Sequence, residues 1–183
     1  QEALTYLKEA VDLGSKDKNI YNESRLWLAE AQFRTGDYKN ASANQQAYAK
    51  QAGTKGENYG IAQYNLGYSL YQQRKYADAL KAFQNAATSK QLDDQMLGDT
   101  YNRMGDTYYY TQDYTQAQES YAHAMEVDKT APRDYSMYQM GIMMALNKQF
   151  DQAVNQMDLL LKECPTSSLA PQAMFEKGNA QAA

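Results

Sequence analysis

Hydrophobic and small residues recur along this chain at the three- and four-residue spacing of an amphipathic helix, with short polar turns between the runs. The clearest run lies between residues 101 and 124, where the apolar and small positions are Tyr101, Met104, Gly105, Tyr108, Ala117, Tyr121 and Ala124. The polar break in its middle predicts two helices joined by a short turn. Because the same pattern recurs upstream and downstream, the sequence predicts a tandem array of helix pairs.

Three sets of residues share one repeat period. An aromatic residue follows each predicted turn with spacings of 38, 38 and 36 residues, at Tyr38, Tyr76, Tyr114 and Phe150. An alanine lies three residues after each aromatic, at Ala41, Ala79, Ala117 and Ala153. A small residue recurs on the first helix of each pair, at Ala29, Gly67, Gly105, Gly141 and Gly178. Glycine inside a helix costs about 1 kcal/mol relative to alanine, so these glycines predict close packing of the two helices.

The period divides the chain into six segments and about ten antiparallel helices. The predicted segments are 1–14 (a second helix without its first), the helix pairs 17–52, 54–90, 93–128 and 132–164, and 171–183 (a first helix without its second). Helix starts are predicted from a capping box of Thr54 with Glu57, an N-cap at Asp93 or Asp94, and the prolines Pro132 and Pro171. Helix ends are predicted at Gly14 and Gly53. Because both outermost helices carry apolar residues where end repeats are normally polar, we expect a segment of a longer protein.

Composition narrows the class of protein. With 43% hydrophobic and 22% charged residues, the chain is expected to fold. Its longest near-apolar run, 140–146, is far shorter than the roughly 20 residues of a membrane-spanning helix. The formal net charge of -4 argues against a nucleic-acid partner, which requires a basic surface. His123 is the one histidine and Cys164 the one cysteine, so we predict no metal centre, no cofactor and no enzyme activity.

The repeated pattern resembles the tetratricopeptide repeat (TPR) family, whose unit is a helix-turn-helix of 34 residues. The run between 101 and 124 matches its motif, and so do Leu66, Gly67, Leu70, Ala79, Phe83 and Ala86 in one further unit and Met137, Met140, Gly141, Met144, Ala153, Met157, Leu160 and Pro165 in another. The resemblance implies an all-α fold, a right-handed superhelix of antiparallel helices. The units here span 36 to 38 residues, and the caps at Thr54 and Asp93 predict longer first helices. This longer period resembles bacterial envelope members of the family.

In TPR proteins the first helices line a concave groove that binds a peptide or a partner protein. The resemblance places eight residues in such a groove: Tyr64, Tyr68, Tyr71, Asn102, Asp106, Tyr109, Tyr135 and Tyr138. Tyrosine offers a large contact area at a low entropy cost, and acidic residues would favour a partner that carries Lys or Arg beside apolar anchors. The alternative interpretation is that several of these tyrosines only pack between adjacent first helices.

A protein-interaction scaffold is therefore the first functional hypothesis, with two alternatives. Tyrosine rings also stack on sugars, so the aromatic stripe can be a small-ligand or glycan site. The chain can also be a sensor or regulatory array attached to an effector domain. One ligand class is disfavoured, because the positions at which chaperone-tail-binding members clamp a carboxylate hold Leu26, Glu30, Asn65, Asp99 and Arg103.

Overall fold

The computed structural model describes residues 2–13 and 18–183, and within these ranges the chain forms ten α-helices and no β-strand. The helices are α1 (Glu2–Leu13), α2 (Lys18–Arg34), α3 (Tyr38–Ala52), α4 (Tyr59–Gln72), α5 (Tyr76–Thr88), α6 (Asp94–Tyr110), α7 (Tyr114–Val127), α8 (Asp134–Leu146), α9 (Phe150–Glu163) and α10 (Ala170–Ala182). The predicted all-α class is confirmed. The even-numbered helices are the first helices of the predicted pairs, and the odd-numbered ones are the second helices.

The first of two compact units is Gln1–Leu92. Each of its helices packs on the next helix of the chain, and α2 also contacts α4. Its core combines many alanines with a few large side chains, namely Leu28, Ala29, Ala41, Tyr48, Ala49, Ala62, Leu66, Ala79, Ala82, Phe83 and Ala86. Because alanine adds little bulk, neighbouring helix backbones approach closely. α1 contributes no buried residue, so it is the least packed helix of the unit.

The second unit is Asp93–Ala183. Its helices also pack in chain order, and α8 contacts α10. The core is richer in methionine, and its buried hydrophobic residues are Met104, Ala117, Tyr121, Ala124, Met137, Met143, Ala153, Met157, Leu160, Ala170, Ala173 and Ala180. Met137 and Met143 lie six residues apart on α8 and are both fully buried. Met143 packs against Ala117 of α7, and Met137 packs against Leu160 of α9. The two side chains therefore connect α8 to both neighbouring second helices.

Glycines on the first helices face large side chains of the second helices. A Cβ atom added at Gly67 would lie 2.5 Å from the ring of Phe83, and one added at Gly105 would lie 2.6 Å from the ring of Tyr121. The close approach predicted from these two glycines is confirmed. At Gly178 an added Cβ would meet nothing within 4 Å, but 171–183 holds a first helix without its second, so the prediction is not tested there.

The turns between the two helices of a pair all have the same backbone conformation. The residue two positions before the aromatic has a positive φ at Gly36, Arg74, Gln112 and Lys148, with values between 58° and 81°. The next N–H group then bonds to the carbonyl five residues earlier, as in Asp37 N to Gln32 O at 2.8 Å. This is the closure of a Schellman motif. A repeated turn of fixed length keeps the three residue sets in one period.

The predicted start of α4 is wrong. Thr54 and Glu57 do not cap a helix, because residues 54–58 form turns and α4 begins at Tyr59. Gln91 holds these turns from a distance: its Nε2 donates to Gly56 O at 2.8 Å, and its Oε1 accepts from Gly60 N at 2.6 Å. A side chain 31 residues away thus takes the role expected of a local cap.

The other predicted helix ends have mixed outcomes. The N-cap at Asp93 is confirmed, because its Oδ1 accepts from Met96 N at 2.8 Å, and α6 is a long first helix of 17 residues. Gly53 ends α3 with a φ of 66°, and Pro171 lies in the first turn of α10. Pro132 does not open a helix, since α8 begins at Asp134. Gly14 lies outside the described residues, as do the repeat boundaries predicted at 14 and 17.

Candidate interaction surface

Tyrosines on one face of α4 form a half-buried aromatic surface in the first unit. Tyr64, Tyr68 and Tyr71 follow each other at spacings of four and three residues, which places them on one side of the helix. The ring of Tyr68 is the centre of this cluster: it packs edge-on against Tyr64 at 5.0 Å and against Phe33 of α2 at 6.3 Å. We call Tyr64, Tyr68, Tyr71 and Phe33 the α4 aromatic surface.

Part of this surface is structural. Tyr68 also packs at 5.6 Å on Phe83, which is completely buried, and Tyr71 packs at 5.6 Å on Tyr76 at the start of α5. Each such edge-to-face pair is worth about 0.5–1.5 kcal/mol. The rings are therefore held in fixed orientations while part of each remains accessible. A rigid aromatic surface loses little entropy when it binds a partner.

Glu30 of α2 contacts α4 through Asn65, and its carboxylate is already paired. A carboxylate oxygen of Glu30 lies 2.7 Å from Arg34 Nε, and the other accepts a longer bond of 3.5 Å from Asn65 Nδ2. These contacts compensate the charge of Glu30 within the protein. The surface consequently carries less net negative charge than its sequence indicates.

In the second unit, Asp106 is the centre of a buried polar network between α6, α7 and α8. Its Oδ1 accepts hydrogen bonds from the hydroxyls of Tyr121 at 2.7 Å and Tyr135 at 2.6 Å. Its Oδ2 lies 2.5 Å from Arg103 Nη1. The guanidinium of Arg103 also lies over the ring of Tyr135, at 5.3 Å from its centroid. Buried charges are tolerated when they are paired and hydrogen-bonded in this way.

Burial and the neighbouring carboxylate change the acidity of both phenols. Desolvation, followed by the negative charge of Asp106, raises the pKa of Tyr121 and that of Tyr135 above the usual value for tyrosine. Both hydroxyls therefore remain donors over the physiological pH range. The network is a fixed structural link between one second helix and two first helices.

The eight predicted groove residues consequently fall into different environments. Asp106 is only 7% exposed, so the expectation that it presents a free acidic group to a partner is wrong. Tyr135 donates to it and thereby packs between adjacent first helices, as the alternative interpretation expected. Tyr109 is 41% exposed, and it is the most accessible tyrosine of the set.

The remaining two predicted residues lie on the same pair of first helices. Asn102 Oδ1 accepts from Ser136 Oγ at 2.8 Å, which joins α6 to α8. Tyr138 is half-buried and packs against the cluster of Met137, Met157 and Leu160. Desolvation and, to a smaller extent, Glu176 raise its pKa. A role of any of the eight residues in partner binding stays a prediction.

Other residues singled out in the sequence have ordinary surroundings. His123 is exposed, and its Nδ1 lies 3.3 Å from a carboxylate oxygen of Glu126. Partial burial and the nearby Asp134 raise the pKa of the Cys164 thiol, which lowers its reactivity. Trp27 is 62% exposed and so is not part of the core. Within residues 2–13 and 18–183, no three acidic, histidine or cysteine side chains converge to hold a metal ion.

One surface of the first unit was not predicted from the sequence. A groove of about 720 Å³ lies between the second helices α3 and α5, with α4 as its floor. Four lysines line it, whereas the predicted site considered only the first helices. The lysines are visible in the sequence, but the sequence does not show which faces of α3 and α5 lie opposite each other in the fold.

Comparison with known proteins identifies the repeat. Models described as tetratricopeptide repeat match residues 45–95, 98–130 and 135–167, which together are most of the chain. The chain belongs to the tetratricopeptide repeat family. A protein-binding scaffold role is typical of TPR proteins, and members are typically not enzymes.

A search of characterised protein sequences finds no significant match. In the part of this TPR chain that the structure describes, no helix has the length and apolar character needed to cross a membrane.

Solved structures share the fold. A structure of YrrB, described as a TPR protein with an unusual peptide-binding site, is 16% identical with a TM-score of 0.73, covering 94% of this chain and 82% of that one. MamA from Desulfovibrio magneticus RS-1 is 21% identical with a TM-score of 0.73, covering 91% and 87%. BtubC from P. vanneervenii is 19% identical with a TM-score of 0.70, covering 85% and 68%. At these identities the likeness concerns the fold.

Proposed function

We propose that this TPR chain is a non-catalytic scaffold that binds a peptide or a partner protein through tyrosines of its first helices. The observation that carries the proposal is the α4 aromatic surface, whose rings are held by edge-on contacts and yet are only half-buried. Preformed aromatic surfaces are common at protein interfaces, because tyrosine contributes large area and a polar hydroxyl. The peptide-binding site of YrrB is a property of that protein, and it shows that the fold supports such a function.

The chemistry of the surface indicates the kind of partner. Glu30 is paired with Arg34, and Asp99 and Asp106 both lie near Arg103. These acidic groups therefore offer little attraction to a basic partner. We expect a segment with apolar or aromatic anchors that pack on the tyrosine rings, with hydrogen bonds to their hydroxyls.

Two single substitutions test the proposal in the two units separately. Tyr71→Ala changes the α4 aromatic surface, and Tyr109→Ala changes the most accessible predicted residue of α6. Each variant is used as bait in an affinity capture from native lysate, with bound proteins identified by mass spectrometry. We expect a protein that is enriched on the unmodified chain and depleted at least several-fold on one or both variants, because an aromatic anchor is commonly worth 2 kcal/mol or more, roughly 30-fold.

Tyr6→Ala is the control. Tyr6 is 69% exposed and lies on α1, which packs on α2 and carries neither of the two tested tyrosines. Capture that is unchanged by Tyr6→Ala and lost with Tyr109→Ala or Tyr71→Ala supports a specific surface. Equal loss with all three variants, or no enriched protein when circular dichroism shows every bait folded, contradicts the proposal.

A further inference from the structure

The groove between α3 and α5 has an excess of positive charge in a chain whose net charge is negative. Lys39 and Lys50 line it from α3, Lys75 and Lys81 line it from the α5 side, and Asp78 is the one acidic residue among its lining residues. The chain as a whole carries -4. Among the described residues, none of the four lysines lies within ion-pair distance of a carboxylate. Their charges are therefore available to a ligand.

The floor and walls of the groove suit a peptide. Leu66 and Leu70 of α4 form an apolar floor, and the exposed Ala43 leaves space along the α3 wall. Gln46 and Asn85 place amide groups on opposite walls, where they can bond to a peptide backbone. Lys39 and Lys50 lie eleven residues apart, which is about 16 Å along the helix. An extended peptide covers that length with about five residues.

Lys75 gives a second, independent indication. It is the N-cap residue of α5, with φ -88° and ψ 66° and no side-chain capping bond. At the equivalent position of α3 and α7, in nearly the same conformation, Asp37 and Asp113 cap their helices by accepting from the N–H three residues on. A lysine at this place loses a cap worth about 1 kcal/mol and opposes the helix dipole. Gln149 at the start of α9 also lacks a side-chain cap, but Lys75 alone of these four residues places a positive charge there, which suits an anionic ligand.

The second unit provides an internal comparison. In the repeat register, its residues Thr115, Glu126, Gln149 and Asn155 replace the four lysines, and Glu119 replaces Ala43. The positive charge of this groove is therefore not a property of the repeat motif.

We propose that this groove of the first unit is a second binding site, which takes a short acidic peptide segment with an apolar centre. Carboxylates at the two ends of the segment pair with the lysines, and its central side chains contact Leu66 and Leu70. Although α4 forms the floor, the residues that line the groove include no member of the α4 aromatic surface and not Tyr109, so the two sites are separate. A partner bound at one surface can leave the other open.

The test is fluorescence anisotropy with a fluorescein-labelled hexapeptide that has two central leucines and two glutamates at each end. We expect the unmodified chain to bind it. The variant Lys39→Gln/Lys50→Gln/Lys75→Gln/Lys81→Gln should lose affinity by roughly tenfold or more, because several unpaired cations are removed together. The control Lys55→Gln/Lys90→Gln/Lys129→Gln/Lys162→Gln removes the same charge from exposed lysines outside the groove and should bind as the unmodified chain does.

Further probes separate a peptide site from general anion attraction. Ala43→Glu copies the residue of the second unit at an exposed position, so it should abolish binding without unfolding the chain. Ala43→Glu also tests the proposal if the variant with four lysines replaced in the groove fails to fold. The same hexapeptide with glutamines in place of glutamates should bind at least tenfold more weakly.

No binding by the unmodified chain, or equal loss in both lysine variants, overturns the proposal. Equally tight binding of a labelled single-stranded DNA or of phosphatidylserine vesicles also overturns it. Tyr109→Ala should leave hexapeptide binding unchanged, which separates this result from the proposed function above.

Discussion

The glycines of the first helices show how one atom decides the distance between two helices. Gly67 faces the buried ring of Phe83, which cannot move aside, whereas Gly141 faces the flexible end of Met157. Replacing glycine by alanine therefore has different consequences at Gly67 and at Gly141, although both glycines lie inside a helix. Sequence register identified the glycines, but it could not show which of them has a rigid neighbour.

We predict that Gly67→Ala destabilises the chain by about 1–3 kcal/mol, because overpacking a rigid core outweighs the gain in helix propensity. Gly178→Ala is the matched control. Nothing lies within 4 Å of its added Cβ, so we expect it to stabilise the chain by roughly 0.5–1 kcal/mol. Urea unfolding followed by circular dichroism measures both. A Gly67→Ala variant as stable as the unmodified chain would show that the helix pair can separate at little cost.

At the scale of the element, local rules predicted most of the helices, and long-range contacts account for the errors. Asp93 caps α6 with its own side chain, so its role is visible in the sequence. The start of α4 depends on Gln91, which lies far away in the chain and binds the turn at Gly56. Similarly, Asp106 looks like an exposed acid until the fold brings Tyr121 and Tyr135 to it. Periodicity gives the helix face, but it does not give the partner of a side chain on that face.

The N-terminus of α5 offers a test at this scale. Because Lys75 already has nearly the backbone conformation of Asp37 and Asp113, Lys75→Asp should cap α5 and stabilise the chain by about 1 kcal/mol. The control Lys75→Ala removes the positive charge without supplying a cap, so the difference between the two variants isolates capping. Both stabilities come from urea unfolding curves. Equal stability of the two variants would show that α5 gains nothing from a cap.

The whole molecule consists of packed helix pairs whose contribution to stability differs along the chain. In the first unit, α1 has no buried residue, and Tyr6 and Leu13 are 69% and 79% exposed. By contrast, α4 and α5 contribute Leu66, Phe83 and several fully buried alanines. In an array of repeats, stability is approximately a sum of local terms.

We therefore predict a gradient of amide hydrogen exchange within the first unit. Peptides from 2–13 should exchange fastest, because α1 has no buried residue of its own, and peptides from 59–88 should exchange slowest. Exchange followed by mass spectrometry at several time points provides the ranking. Protection of 2–13 comparable with that of 59–88 would contradict the prediction.

The turns described above also bear on how this protein can evolve. Gln112 and Lys148 adopt a left-handed conformation that costs a non-glycine residue roughly 1–2 kcal/mol, whereas Gly36 adopts it freely. Replacing Gln112 or Lys148 by glycine would therefore raise the stability of the chain. Both positions belong to the second unit, whereas the tyrosines of α4 and the lysines of the groove belong to the first. Mutations that create a new specificity on those surfaces often weaken folding. A single change to glycine at a turn can compensate such a loss, so the binding surfaces are free to diversify while the scaffold stays folded.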